Sequence, residues 1–205
     1  LHHAAVEVGA RIVLLDDEPV QPGTEAFVQL VLEHPIAAAV GDRFVLRDTT
    51  GQRTIGGGTL LDLRAPARKR RTPERLGQIE ALALGEPAGV LAALLARSPF
   101  SVDLTAFARD HALNAPAMDA LIDRQGVLRI RAQNAELGLS PATWLKLKRD
   151  LLATLESFHT DNPDLPGIGL ERLRLQLLPR LPAPTFLSFL QGLAKGGEVG
   201  LQGAW

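Results

Sequence analysis

No cysteine occurs anywhere in the 205 residues. A disulfide scaffold, thiolate metal ligation and a cysteine nucleophile are therefore excluded. No apolar run approaches the roughly 18–20 residues that a membrane helix needs, and no signal-peptide layout opens the chain. Charge of one sign is lacking too: 22 Lys and Arg nearly cancel 23 Asp and Glu, so the protein as a whole is no cationic glove for nucleic acid. Enzyme signatures are equally absent. There is no G-x-x-x-x-G-K-[ST] loop, no G-x-G-x-x-G opening a helix, no H-E-x-x-H pair and no G-x-S-x-G elbow. The histidines, His2, His3, His34, His111 and His159, are scattered, and the adjacent His2 and His3 would point to opposite faces of a strand. What is present is an ordinary soluble composition, 46% apolar and 22% charged, long enough to bury a real core in one to three domains.

Residues 1–64 read as β structure. Short apolar runs at Arg11–Leu15, Ala26–Leu32, Arg43–Leu46 and Thr59–Leu63 are separated by turn-type clusters at Asp16–Pro19, Gln21–Gly23, Gly41-Asp42 and Gly56–Gly58. Within the second run, Ala26, Val28, Leu30 and Leu32 share one face of a strand and Phe27, Gln29, Val31 and Glu33 the other. Such spacing predicts a small barrel or sandwich. The glycine triplet is read as a bulge or tight crossing rather than a phosphate loop, because no helix N-terminus follows it. Residues 65–75 then change character: Arg68, Lys69, Arg70, Arg71 and Arg75 face a single acid, Glu74, with two prolines among them. Like charges and proline resist regular structure, so this segment reads as a linker.

From Thr72-Pro73-Glu74, a helix start with cap, proline and first-turn acid, the pattern is helical. Helices are expected around Leu76–Ala83, Val90–Leu95, Asp103–Ala108 and Pro116–Ile122, followed by a strand at Gly126–Arg131. The order then repeats. Ser140-Pro141 opens a long helix with Trp144, Leu147, Leu151, Leu155 and Phe158 on one stripe. Leu170 and Leu173 echo Leu104 and Phe107 at a fixed offset, a helix carrying Phe186, Leu187, Phe189, Leu190 and Leu193 follows, and Gly196–Val199 leads to a last strand. Two copies of helix–helix–helix–strand are the layout of tandem winged helices, a helix-turn-helix variant.

Segmenting the charge is informative. Residues 1–64 carry a net −4, 65–80 a net +3, 81–137 a net −1 and 138–205 a net +1. Clustered Arg68, Lys69, Arg70 and Arg71 either form a solvated linker or exchange counterions for nucleic-acid phosphates. In contrast, the expected recognition helix near 116–125 holds Asp119, Asp123 and Arg124, and that near 183–195 has Lys195 as its sole base. Neither suits a DNA major groove, where Arg, Asn and Gln read bases. Spacer or protein-contacting modules fit better. Lys146, Lys148 and Arg149 flank the buried stripe and read as a solvated face.

Gly41-Asp42-Arg43-Phe44-Val45-Leu46-Arg47-Asp48 and Arg53-Thr54-Ile55-Gly56-Gly57-Gly58 resemble the strands R-F-x-L-R and R-T-x-G-x-G of the third β-barrel domain of EF-Tu-like translational GTPases. The triple glycine, Leu60-Leu61-Asp62 and the Pro/Arg segment, with Leu139-Ser140-Pro141, Phe158-His159, Asn162-Pro163, Leu165-Pro166-Gly167 and Leu170-Glu171-x-Leu173, are similar to selenocysteine-specific elongation factors of the SelB type. The resemblance implies a multidomain β plus α/β chain. A barrel over 1–64 lacking its first strand, a basic linker over 65–75, and two tandem winged helices over 76–135 and 138–205 are expected. It further implies an internal to C-terminal fragment, cut at Leu1 and Trp205, of a cytoplasmic GTP- and Mg-dependent factor that delivers selenocysteinyl-tRNA to the ribosome at UGA. On this reading the GTPase domain lies outside the fragment, which is non-catalytic and holds no cofactor or metal. The last two winged helices, which bind the mRNA insertion hairpin, also lie outside it. In related factors the loop before the R-T strand touches tRNA. The corresponding candidates here are Arg47, Thr49, Thr50, Gly51, Gln52 and Arg53, with backbone amides at 49–51 facing phosphates, together with Arg68, Lys69, Arg70 and Arg71. The competing reading of Arg47 and Arg53 pairs them with Asp42, Asp48 or Asp62 inside the barrel. The competing readings of the chain are a tandem winged-helix DNA regulator and a protein-interaction module.

Overall fold

The computed structural model describes residues 1–15, 19–132 and 135–202. Asp16, Asp17 and Glu18, part of one expected turn, fall outside the described residues, as do Gln133, Asn134 and Gly203 to Trp205. The β region comprises β1 (His2–His3), β2 (Val6–Glu7), β3 (Ala10–Leu14), β4 (Val28–Leu32), β5 (Arg43–Arg47) and β6 (Thr54–Thr59). They form a sheet in the order β2-β1-β5-β6 and a β3-β4 pair, every pairing antiparallel. Leu1, Val8 and Phe44 are buried at the centre, with Leu30, Leu32, Leu46 and Leu60 packed around them. Leu30 and Leu32, which alternation places on one face of the strand, both pack on this core. His2 and His3 do diverge: His3 is buried while His2 is half-exposed.

One expectation fails here. Gly56–Gly58 is not a break before a strand at 59–63 but the middle of β6, where Phe44, Val45 and Leu46 pair with Gly58, Gly57 and Gly56. The irregularity lies opposite, between Leu46 and Arg47. Phe44 is the reason. A Cβ at Gly57 would sit 2.7 Å from the Phe44 carbonyl oxygen, and one at Gly58 would sit 2.8 Å from its ring. Glycine is needed for close approach, as is common inside strands.

The helical region begins with α1 (Pro73–Leu82) and α2 (Pro87–Leu95), followed by β7 (Val102–Asp103), α3 (Leu104–Asp110) and α4 (Ala115–Gln125). Thr72 caps α1 by accepting from Arg75 N at 3.3 Å. A hairpin of β8 (Leu128–Ala132) and β9 (Ala135–Leu139) follows, and β7 joins it in the order β7-β9-β8. The strand expected near 126–131 forms, but its partner β9 runs to Leu139, beyond the limit of 135 read from the sequence. Gly138 disguises β9 because glycine weakens a strand. A Cβ there would meet Leu104 Cδ2 at 2.7 Å, so α3 packs where that side chain would have been.

After the hairpin come α5 (Pro141–Asp161), α6 (Leu170–Gln176) and α7 (Ala183–Lys195). Ser140 caps α5 through Thr143 N at 3.1 Å. Leu147 and Leu151 are fully buried in a core with Phe186, Phe189, Leu190 and Leu193, against which Trp144, Leu155 and Phe158 pack. The echo between Leu104 and Leu170 is real in structure, since both residues open seven-residue helices. Leu187, on α7, is 40% exposed, because the inward stripe runs 186, 189, 190, 193 and leaves position 187 outside it. The last strand expected after Gly196–Val199 is not formed among the described residues. An isolated extended segment has no ladder to complete; Val199 and Leu201 instead pack on the core.

By compactness the chain divides into Leu1–Val90 with Ala108–Asn114, and Leu91–Phe107 with Ala115–Trp205. In the first unit, Arg64 grips Asp110 with two hydrogen bonds of 2.8 and 2.7 Å. Val40 N donates to the Asp110 carbonyl at 2.7 Å. These bonds fasten the 108–114 segment to the end of β6 and the loop before β5.

Candidate nucleic-acid interface

Two sets of candidate residues lie on the first unit. The loop between β5 and β6 is organised by Asp48, whose carboxylate accepts from Thr50 Oγ1 (2.9 Å), Gln52 N (3.0 Å) and Arg53 N (3.3 Å). Gly51 N donates to the Asp48 carbonyl (3.0 Å) with φ at +69°, a conformation that glycine adopts freely. The Thr50 hydroxyl, then the Arg53, Gln52 and Thr50 amides, hold the Asp48 carboxyl below its ordinary value. The Asp48 carboxylate thus takes the Gln52 and Arg53 amides, and of the amides at 49–51 expected to face phosphates that of Gly51 is already bonded to the Asp48 carbonyl. Arg47 is turned back to the Gly51 carbonyl at 3.1 Å.

Neither Arg47 nor Arg53 pairs with Asp42, Asp48 or Asp62. Asp42 accepts from Ala39 N (2.8 Å) and His3 Nε2 (3.0 Å), and Asp62 holds Arg75 at 2.5 Å. Arg53 and Gln52 are exposed, and their side chains have no partner among the described residues. The competing in-barrel reading of these arginines is thereby overturned.

The segment over 65–72 is irregular, as proline and charge dictate, yet it is fastened. Gln29 Nε2 on β4 donates to the Pro66 carbonyl at 3.2 Å. Arg71 donates through Nε and Nη2 to the Leu14 carbonyl at 3.2 and 2.9 Å. The Asp62–Arg75 pair closes the far side, with only 12% of the Arg75 side chain exposed. Between the fasteners, Arg68 and Lys69 are exposed and Arg70 is half-buried. None of the three has a side-chain partner among the described residues. Val13, Ala67 and residues 68–72 line an open depression, and Arg70 Nε is buried without a hydrogen bond. Gln29 and Asp48 were missed by sequence reasoning. Asp-Thr-Thr-Gly is a turn signature that would have exposed the role of Asp48; nothing marks Gln29.

In the second unit six of the eleven Lys and Arg side chains pair with acids, while Arg124 and Lys195 have no partner among the described residues. Arg129 meets Asp119 (2.6 Å) and Arg131 meets Glu136 (2.9 Å). On α5, Lys146 and Arg149 share Asp150 (2.6 and 2.9 Å), while Lys148 pairs with Glu198. Arg174 is bound by Glu171 at 2.5 Å, and Arg172 lies 5.8 Å over the Phe158 ring. Among the described residues no cluster of three or more His, Asp or Glu could hold a metal, and no helix is long and apolar enough to cross a membrane.

Comparison with known proteins agrees with this architecture. Residues 1–67 match the family description "Selenocysteine-specific elongation factor, beta-barrel domain", and residues 152–205 match "Elongation factor SelB, winged helix". The selenocysteine-specific elongation factor of Escherichia coli (strain K12) is 31% identical over 206 residues, covering all of this chain and 31% of the relative. That of Haemophilus influenzae is 21% identical, covering all of this chain and 32% of the relative. The chain thus spans about a third of the length of these relatives. A crystal structure of bacterial selenocysteine-specific elongation factor EF-Sec shares the fold over 91% of this chain and 28% of its own, with a TM-score of 0.53 at 16% identity. A β-barrel followed by winged-helix structure, matched at both ends by domains of one family, places this chain among the selenocysteine-specific elongation factors.

Proposed function

We propose that this chain is the RNA-facing barrel and winged-helix portion of a factor that carries selenocysteinyl-tRNA to the ribosome. The observation that supports it best is the uneven fate of the cations. Among the described residues the consecutive Arg68, Lys69 and Arg70, with Arg53, have no acidic partner, whereas six of the eleven bases in the second unit are tied to acids. Unpaired, surface-held Arg and Lys exchange counterions for phosphates and position RNA without reading its sequence. The winged helices, over 76–135 and 138–205, act as spacers toward the part of the longer factor that holds the mRNA insertion hairpin. This portion is non-catalytic and holds no cofactor. GTP and Mg belong to a GTPase domain elsewhere in the longer factor, working in the cytoplasm.

The test uses the full-length factor bound to selenocysteinyl-tRNA. Replacing Arg53, Arg68, Lys69 and Arg70 with Ser should weaken binding about tenfold or more at low salt, while GTP hydrolysis without tRNA stays unchanged. Unaltered tRNA affinity would remove the reading. The DNA-regulator alternative is disfavoured by Asp119 and Asp123 on α4 and the single base, Lys195, on α7. Duplex DNA should bind no tighter than the roughly 10⁻⁴–10⁻⁶ M of non-specific contact.

A further inference from the structure

The four consecutive cations over 68–71 do not have the same role. We infer that Arg68, Lys69 and Arg70 form a pre-set clamp for an RNA phosphate backbone, and that Arg71 and Gln29 are positioning residues that hold the clamp in shape. This rests on the RNA-facing reading above and divides its site into contacts and fasteners.

Three observations separate the roles. First, Arg71 spends two guanidinium N–H groups on the Leu14 carbonyl, at 3.2 and 2.9 Å. Its planar fork is fixed to the barrel and is not presented to a ligand. Second, the backbone before the clamp is held by Gln29 through the Pro66 carbonyl at 3.2 Å, and the backbone after it by Arg71. A segment pinned on both sides loses less conformational freedom on binding than a loose basic linker would, which is the advantage of preorganisation. Third, the pinned segment carries features that folding alone does not reward. Lys69 has φ at +55°, a left-handed conformation unfavourable for a side-chain-bearing residue. Arg70 Nε is buried with no hydrogen bond, in a wall of the depression lined by Val13 and Ala67. Strain and an unmet donor at one place point to a ligand supplying what the fold does not. A phosphate oxygen accepts strongly from guanidinium N–H groups.

Arg70 is consequently the central contact and Arg68 and Lys69 its flanks. Lysine at position 70 would keep the charge but lose the planar donor set.

The experiment measures binding of the full-length factor to selenocysteinyl-tRNA across a salt series, one substitution at a time. Arg68→Gln, Lys69→Gln and Arg70→Gln should each reduce the slope of log K against log salt by about 0.7–0.9. Arg71→Gln and Gln29→Ala should leave the slope unchanged while weakening affinity about threefold at every salt, the loss expected when one hydrogen bond no longer holds the segment. Arg70→Lys should keep the slope and still lose affinity. Thermal melting of each variant checks that the barrel remains folded, and a polyglutamate peptide serves as a non-RNA polyanion. Loss of slope with Arg71→Gln equal to that with Arg70→Gln would overturn the division of roles and leave the RNA reading standing. No slope change with Arg68→Gln, Lys69→Gln or Arg70→Gln would overturn both. Competition by polyglutamate as effective as by RNA would assign the clamp to an acidic protein instead and equally overturn the proposal.

Discussion

The barrel side of this molecule is the more acidic part of the chain, yet it is where unpartnered cations are found. The winged helices are nearly neutral, and six of the eleven bases in the second unit are locked to carboxylates. Net charge by segment therefore misleads in one direction and pairing corrects it. In the barrel unit the acids are consumed by structure: Asp48 ties a turn, Asp42 joins His3 to the 39–42 turn, and Asp62 and Asp110 hold Arg75 and Arg64 across long sequence separations. In the winged helices several pairs are short-range, as with Lys146–Asp150 on one helix face and Arg174–Glu171 one turn apart, while Lys148 reaches Glu198 beyond α7. The barrel unit uses its pairs chiefly to fasten segments together, and the other unit spends several of its pairs along a single helix.

That contrast can be broken by measuring what each pair contributes. Asp62→Ala should have the largest effect, because Arg75 is only 12% exposed and would lose a charged hydrogen bond; the expected loss is about 2 kcal/mol by chemical denaturation. Asp110→Ala removes a pair in which Arg64 is 49% exposed, so about 1 kcal/mol is expected, with faster proteolysis near 108–114 as the local sign. Lys146→Ala on α5 should cost only about 0.3–0.5 kcal/mol, as exposed i,i+4 pairs do. An equal loss at Asp62 and Lys146 would erase the distinction.

Acid titration sharpens the same comparison with effects of still smaller size. His111 is pushed below its ordinary value mainly by burial, with Asp110 opposing. A depressed folded pKa contributes stability above the unfolded value, near pH 6.5, that is lost as pH falls through the folded value. Stability of the barrel unit should begin to fall from about pH 6.5 downward. In the second unit, Lys146 then Arg149 depress Asp150, and Arg174 depresses Glu171. Their contribution is lost only at more acid pH, near the carboxylate range around 4 and below. His111→Gln should remove the early decline and leave the later one.

Much of this could be read from residues alone, because the signals were local. Caps at Thr72 and Ser140, the α5 stripe and the alternation of Leu30 and Leu32 depend on neighbours a turn or a residue away. The strand through Gly56–Gly58 could not be read, since Gly57 and Gly58 are explained only by Phe44 on the facing strand. β9 was hidden by Gly138, whose reason is Leu104 far away in sequence. At the candidate interface, residue types pointed to Arg68–Arg71 only as a group. Their division into fastened and free cations depends on Gln29 and the Leu14 carbonyl, which no sequence pattern places beside them. The Gly51, Gln52 and Arg53 amides of the Asp48 loop look available in sequence and are occupied in structure.

The most direct test sets the two regions side by side in the full-length factor. One variant carries Ser at Arg68, Lys69 and Arg70; the other carries Ser at Lys146, Lys148 and Arg149 on α5. Binding to selenocysteinyl-tRNA is measured between 50 and 200 mM salt. Three phosphate contacts correspond to about 2.7 units of slope, so a fourfold rise in salt should cost the first variant about 40-fold less affinity than the parent. The α5 variant should track the parent. Equal slopes for both variants, or a larger change in the α5 variant, would contradict a barrel-side RNA interface.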